Sequence, residues 1–299
     1  MTKTAWVFPG QGSQKQGMAG DMASHPLTRS LFEEADALLG WSVAERCVGP
    51  QEELDKTLYT QPCLYVVSAA ATLHYRALGE VPDVVCGHSL GEYTALWSAG
   101  VFDFATGLNL VQKRAWLMDQ QTQQAPGSMA AVLGFERTEL DRLIQEIDGV
   151  VVANDNSSGQ VVISGTKEAV SAIQSQLKAK RFIPLAVSGA FHSPLMTPAA
   201  QAFREILEAI PFQTAQVPVL SNTEPMATED PTVLKERLAR QIDGPVRWRE
   251  TVIQLAQLSV ERTVEIGPGS VLTGLIKKTD IPDRPGPVFK TENFFPVAG

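Results

Sequence analysis

Residues 83–96 read Asp-Val-Val-Cys-Gly-His-Ser-Leu-Gly-Glu-Tyr-Thr-Ala-Leu. A short apolar run, Val84-Val85-Cys86, enters a Gly-X-Ser-X-Gly pattern, and a helix-forming run from about Glu92 to Ala99 leaves it and stops at Gly100. A strand, a tight turn and a helix in that order predict a nucleophile elbow. Such a turn exposes the Ser89 Oγ at a helix N-terminus, where backbone N–H groups and the helix dipole favour developing negative charge. The plainer alternative is a strand-to-helix loop in which Ser89 only caps the helix.

Working outward, residues 4–8 (TAWVF) predict a buried strand that runs into the glycine-rich turn PGQGSQ, residues 9–14. That turn lacks the lysine of a phosphate-binding P-loop and the spacing of a dinucleotide fingerprint. It could offer a backbone N–H to an oxyanion instead, and spacing alone does not decide. Helices are predicted around Leu31–Leu39, over 61–78 and over 105–121. From Ala125-Pro126-Gly127 the texture changes to strand (128–135), helix (138–147), strand (150–154), strand (160–164), helix (167–180), strand (182–187). That βαββαβ order is the split-βαβ plan. The fold class expected is therefore α/β. An α/β-hydrolase-like catalytic domain, residues 1–123 and 188–299, carries an inserted ferredoxin-like subdomain, residues 124–187. The tail from about Ile281, with Pro282, Pro285, Pro287 and Pro296, is expected to be irregular or poorly ordered.

Bulk composition narrows the class. The 299 residues are 44% hydrophobic and 19% charged, with a formal net charge of −8. A net acidic chain is a poor partner for nucleic acid or an anionic membrane. The three cysteines form no CxxC pair, and with four histidines in all no metal site is expected. Cys47, Cys63 and Cys86 read as reduced and buried, and no signal peptide or membrane-length apolar run is seen, so the expected setting is cytoplasmic.

A serine nucleophile needs a base. His25 precedes a proline, His74 lies in a helix, and His88 adjoins Ser89 on a turn where neighbouring side chains diverge. His192, in SGAFHSPLM, follows a strand and opens a turn, and by elimination it is the preferred base. Arg114 projects from the apolar helix face formed by Leu110, Val111, Leu117 and Met118. A buried guanidinium needs an anion, which is either an internal carboxylate or the carboxylate of a substrate.

Together the segments FPGQGSQ (8–14), GHSLGEY (87–93), QKRAWLM (112–118), NDNSSGQVVISG (154–165), GAFHSPLM (189–196), PVRW (245–248) and EIGPGSVLTGL (265–275) resemble the malonyl-CoA:acyl carrier protein transacylases, and also the acyltransferase domains of polyketide synthases. The match is collinear up to about residue 278. The resemblance implies Ser89 as the acyl-accepting nucleophile and His192 as its base. It gives the backbone N–H groups of Gln11 and Leu90 to an oxyanion hole, and the backbone carbonyl of Gln241 the task of orienting the histidine. Arg114 would bind the malonyl carboxylate, with Met118, Asn156 and Phe191 in the substrate-binding cleft. Phe191 beside the histidine resembles the malonyl-selective pattern, where methylmalonyl-selective relatives carry serine. Ser128 departs from a frequent glycine or alanine. No cofactor is implied; the partners are malonyl-CoA and acyl carrier protein, and the family is usually monomeric. A discrete polyketide acyltransferase and, in another class, a serine esterase or thioesterase stay open as alternatives, as does a carrier-protein-binding module without catalysis.

Overall fold

The computed structural model describes residues 2–187, 189–284, 286 and 288–296. Its strands are β1 (Thr4–Phe8), β2 (Val84–Gly87), β3 (Ser128–Phe135), β4 (Val150–Ser157), β5 (Gln160–Gly165), β6 (Ala179–Pro184), β7 (Val219–Leu220), β8 (Arg262–Ile266) and β9 (Lys290–Phe294). They form two sheets in an α/β fold. The larger is wholly parallel, in the order β7-β2-β1-β8-β9.

Every residue of β1 and β2 is buried. This is why both segments read as unbroken apolar runs rather than alternating ones: helices cover the parallel sheet on both faces. Trp6 and Phe8 pack into a core with residues of the helices Thr57–Ala77 and Phe104–Gln124, such as Tyr65 and Leu108. Ala5 and Val7 face a second core with Val252, Leu255 and Leu272. The two glycine-rich turns leave the same edge of the sheet, at the carboxyl ends of β1 and β2. There His88 N–H donates to Phe8 O at 3.0 Å. A Cβ on Gly91 would lie 2.0 Å from Phe8 O, and one on Gly10 would lie 2.3 Å from His88 O, so the turns touch only because both positions are glycine.

The smaller sheet is antiparallel, in the order β4-β5-β3-β6, with helices Arg137–Glu146 and Lys167–Gln176 packed on it. It is tied to the larger body at residues 245–249. Val246 N–H donates to Ala153 O at 2.8 Å and Val246 O accepts from Asp155 N–H at 2.9 Å. The Asp155 carboxylate pairs with Arg137 at 2.7 Å and Arg249 at 2.9 Å.

Several expected boundaries move. The helix expected over 167–180 ends at Gln176, and the strand expected over 182–187 is β6, Ala179–Pro184. Lys178 and Lys180 fall within the expected helix, but β6 is an edge strand whose residues are all partly or fully exposed. The helix expected from residue 61 begins at Thr57 and continues through Pro62. Two short helices, Val43–Val48 and Gln51–Leu54, lie where none was expected. The tail is also corrected. Pro285 and Pro287 lie outside the described residues, but β9 pairs in parallel with β8, the Phe294 ring packs tilted against Tyr75 with centroids 4.4 Å apart, and Glu292 accepts from Arg262 at 2.8 Å. Proline content masked that strand. No helix among the described residues is long and apolar enough to cross a membrane.

Candidate active site

Ser89 sits between β2 and the helix Gly91–Ser98 with φ of 51°, the left-handed region. A non-glycine residue there is strained, and the surrounding hydrogen bonds hold it. Ser89 N–H donates to Asn222 Oδ1 at 2.6 Å, and Asn222 Nδ2 donates to Gly87 O at 2.6 Å. One side chain thus clamps both sides of the turn. A Cβ on Gly87 would collide with the Gly91 carbonyl at 2.0 Å, so the turn closes only between glycines.

Ser89 Oγ lies 2.8 Å from His192 Nε2. His192 Nδ1 faces two carbonyl oxygens, Gln241 O at 2.9 Å and Gly244 O at 3.1 Å. Carbonyls only accept, so Nδ1 carries the proton and Nε2 is left with a lone pair toward Ser89. No carboxylate touches the imidazole among the described residues. Burial first, and the nearby Arg114 charge second, push the His192 pKa down to about 3. The imidazole is therefore neutral and available as a base at ordinary pH.

Arg114 is 1% exposed. Its Nη1 donates to Gln61 Oε1 at 2.6 Å, and its Nη2 donates to Ser89 Oγ and to Gln241 Oε1, both at 3.0 Å. Of the two anions left open for it, the internal carboxylate is absent: among the described residues Arg114 forms no salt bridge, and its hydrogen-bond acceptors are neutral. Burial lowers its pKa, and its Nε has no partner.

A cleft of about 170 Å³ opens on this group. Its walls include Gln11, Ser89, Arg114, Met118, Asn156, Phe191 and His192, so the structure gathers these expected residues from both sheets into one place. The backbone N–H groups of Gln11 and Leu90 have no hydrogen-bond partner among the described residues. The Gln11 side chain accepts from Thr57 Oγ1 at 2.9 Å. His88 turns away from the serine, its Nε2 lying 2.8 Å from Asn156 Oδ1 and its ring 5.7 Å from Trp248. His25 and His74 meet each other, ring centroids 4.5 Å apart. No group of three or more His, Cys, Asp or Glu among the described residues is placed to hold a metal ion.

Three polar residues of this network escaped the sequence reading: Gln61, Glu92 and Asn222. Gln61 and Glu92 are 0% exposed and Asn222 1%. Each had a faint signal, because each is a polar residue within or beside an apolar run (Gln61 before PCLYVV, Glu92 before YTAL, Asn222 after PVLS). A buried polar side chain must find partners, and such a position points to a network.

Comparison with known proteins agrees with this geometry. The acyl transferase domain family matches residues 5–285. A malonyl CoA-acyl carrier protein transacylase of Synechocystis is 50% identical over 277 residues, 93% of this chain and 94% of the relative. The crystal structure of a Synechocystis malonyl-CoA:ACP transacylase superposes with a TM-score of 0.93 at 48% identity, covering 98% of this chain and 97% of that one. A malonyl-transacylase solved in complex with a holo acyl carrier protein of a type II polyketide synthase gives 0.89 at 39% identity, covering 98% and 95%. Matched over nearly its whole length, the chain belongs to the acyl transferase family, as one of the malonyl-CoA:acyl carrier protein transacylases.

Proposed function

We propose that this enzyme moves a malonyl group from coenzyme A to the phosphopantetheine thiol of an acyl carrier protein, by way of a malonyl ester on Ser89. One observation carries the reading. Ser89 Oγ sits at once 2.8 Å from a neutral imidazole and 3.0 Å from a buried guanidinium that touches no carboxylate among the described residues. A nucleophile beside a cation with no directly bonded carboxylate suits an acyl group that ends in an anion.

In the first half-reaction His192 Nε2 takes the Ser89 proton as Oγ attacks the thioester carbonyl, a general-base contribution of roughly 10²–10⁴ in rate. The unpartnered N–H groups of Gln11 and Leu90 are assigned to the tetrahedral oxyanion, each worth about 10²–10³. The imidazolium returns its proton to the leaving thiolate of coenzyme A. The carbonyls of Gln241 and Gly244 hold the ring without a triad carboxylate. Arg114 grips the malonyl carboxylate, while Met118, Asn156 and Phe191 wall the acyl group. In the second half-reaction His192 deprotonates the phosphopantetheine thiol as its sulfur attacks the ester carbonyl, and the imidazolium returns that proton to the departing Ser89 Oγ. A serine esterase would share the first half, but it offers no reason for Arg114.

The finer architecture we assign is an α/β-hydrolase-like catalytic domain, residues 1–123 and 188–299, with a ferredoxin-like subdomain, 124–187. The parallel sheet with its elbow after β2 supports the first, and the β4-β5-β3-β6 order, with two helices on the sheet, supports the second. The same reading makes the protein a cytoplasmic monomer, and the net charge of −8 supports the absence of nucleic-acid and membrane partners. The test weighs intact protein after brief exposure to malonyl-CoA, then adds holo acyl carrier protein of fatty-acid or polyketide origin. One malonyl group should appear, be absent from Ser89→Ala, and pass to the carrier. An adduct that persists in Ser89→Ala, or that only water removes, sinks the assignment.

A further inference from the structure

Glu92 begins the helix behind the elbow, is 0% exposed, and does not reach the cleft. Its Oε2 accepts from Gln241 Nε2 at 2.6 Å and from Asn222 N–H at 3.2 Å. Two N–H donors thus converge on Oε2, the Ser221 hydroxyl lies beside the carboxylate, and Oε1 has no hydrogen-bond partner among the described residues. The two N–H donors on Oε2 fit the ionised form, although burial raises its pKa.

Gln241 stands between this anion and the cation of the site. Its Nε2 donates to Glu92 Oε2 and to Ser89 O at 2.9 Å, and its Oε1 accepts from Arg114 Nη2 at 3.0 Å. An amide has one donating and one accepting end. Turned over, it would set oxygen against a carboxylate and NH₂ against a guanidinium, two like pairings at once. The shortest contact, at 2.6 Å, is to the charged acceptor, so Glu92 is the main lock on the amide. Main-chain bonds pin the backbone of this segment separately: Gln241 N–H donates to Leu238 O, and His192 N–H donates to Ile242 O. The lock therefore bears on Arg114 and, more weakly, on the elbow through Ser89 O and Asn222, and leaves the carbonyl that holds His192 in place.

We propose that Glu92 is a positioning residue for the acyl carboxylate site: by fixing the amide of Gln241 it holds Arg114 against Ser89 and sets the preference for acid-bearing donors. This rests on the malonyl reading above.

The test measures kcat/KM for malonyl-CoA and for neutral acetyl-CoA in wild type, Glu92→Gln, Glu92→Asp, Arg114→Ala and the Glu92→Gln/Arg114→Ala double variant, with folding checked by thermal melting. Glu92→Gln keeps size but can present either amide end, so it should lower the malonyl-to-acetyl ratio about 10–100-fold, the scale of one lost charge-assisted hydrogen bond. Glu92→Asp keeps an acceptor-only anion and should keep the ratio near wild type even if both rates fall. In the Arg114→Ala background Glu92→Gln should leave the ratio unchanged. Equal loss of both donors in Glu92→Gln, or an undiminished effect of it without Arg114, overturns the proposal. Should Glu92→Gln fail to fold, Glu92→Asp decides, and loss of the ratio there overturns it too. A wild type that forms no malonyl adduct at Ser89 would instead overturn the functional reading.

Discussion

His192 Nε2 lies 2.8 Å from Ser89 Oγ, although the two residues are 103 positions apart. Both hold left-handed backbone, φ of 58° and 51°. Each sits on a turn held by its own hydrogen bonds, Ser89 N–H to Asn222 Oδ1 and His192 N–H to Ile242 O. The serine side of the alignment depends on Asn222. Replacing Asn222 with Ala leaves the Ser89 N–H and Gly87 O without that partner, and should lower kcat for every acyl donor roughly 10–100-fold, with a stability loss of about 1–3 kcal/mol. Steady-state kinetics and thermal melting check this; unchanged kcat would show that the elbow holds itself.

Arg114 should decide between acid-bearing and neutral acyl groups. In wild type a neutral acyl group leaves a buried guanidinium facing it without an anion, a penalty of roughly 3–5 kcal/mol. Arg114→Ala removes that penalty together with the attraction for malonyl. Malonyl transfer should collapse by about two to three decades while acetyl transfer holds or rises. Equal loss for both donors in a folded protein would make Arg114 structural.

The acid limb of the pH profile should lie low. With the His192 pKa pushed down to about 3, kcat/KM with acetyl-CoA should show no histidine limb near the ordinary value of 6.5. Arg114 is the second cause of that depression, so Arg114→Ala should move the limb upward, still short of 6.5, because burial remains. The same shift bears on folding. Between pH 6.5 and about 3 the unfolded chain holds a proton that the native imidazole refuses, so this group makes stability fall as pH drops through that window. His192→Asn should remove that share of the acid loss, read as a smaller drop in melting temperature from pH 6.5 to 4. A limb at 6.5 in both proteins contradicts the assignment.

Phe191 is 8% exposed and walls the cleft one residue before the base. An α-methyl on the donor would crowd its ring, and a single methyl in a pocket is worth about 1–3 kcal/mol, or 10–200-fold. Wild type should prefer malonyl-CoA to methylmalonyl-CoA by that range, and Phe191→Ser should narrow the gap. Equal rates for the two donors in wild type would remove the residue from specificity.

What the sequence determined by itself was local. The run 83–96 specifies strand, turn and helix because glycines at 87 and 91 are the residues that let such a turn close, and Ser89 is the one hydroxyl it lifts. The apolar face around Arg114 announced a buried cation, and elimination left His192 for the base. The βαββαβ order of 128–187 could be read from periodicity, though Lys178–Arg181 blurred one boundary and the prolines hid β9. The tertiary structure alone decided who meets whom. It gave Arg114 the neutral amides of Gln61 and Gln241, sent His88 to Asn156, and brought Asn222 and Gln241 onto Glu92. Those partners are 53 to 149 residues distant in sequence. Periodicity reports which face of an element is buried; which buried polar group faces which is set by how the elements pack.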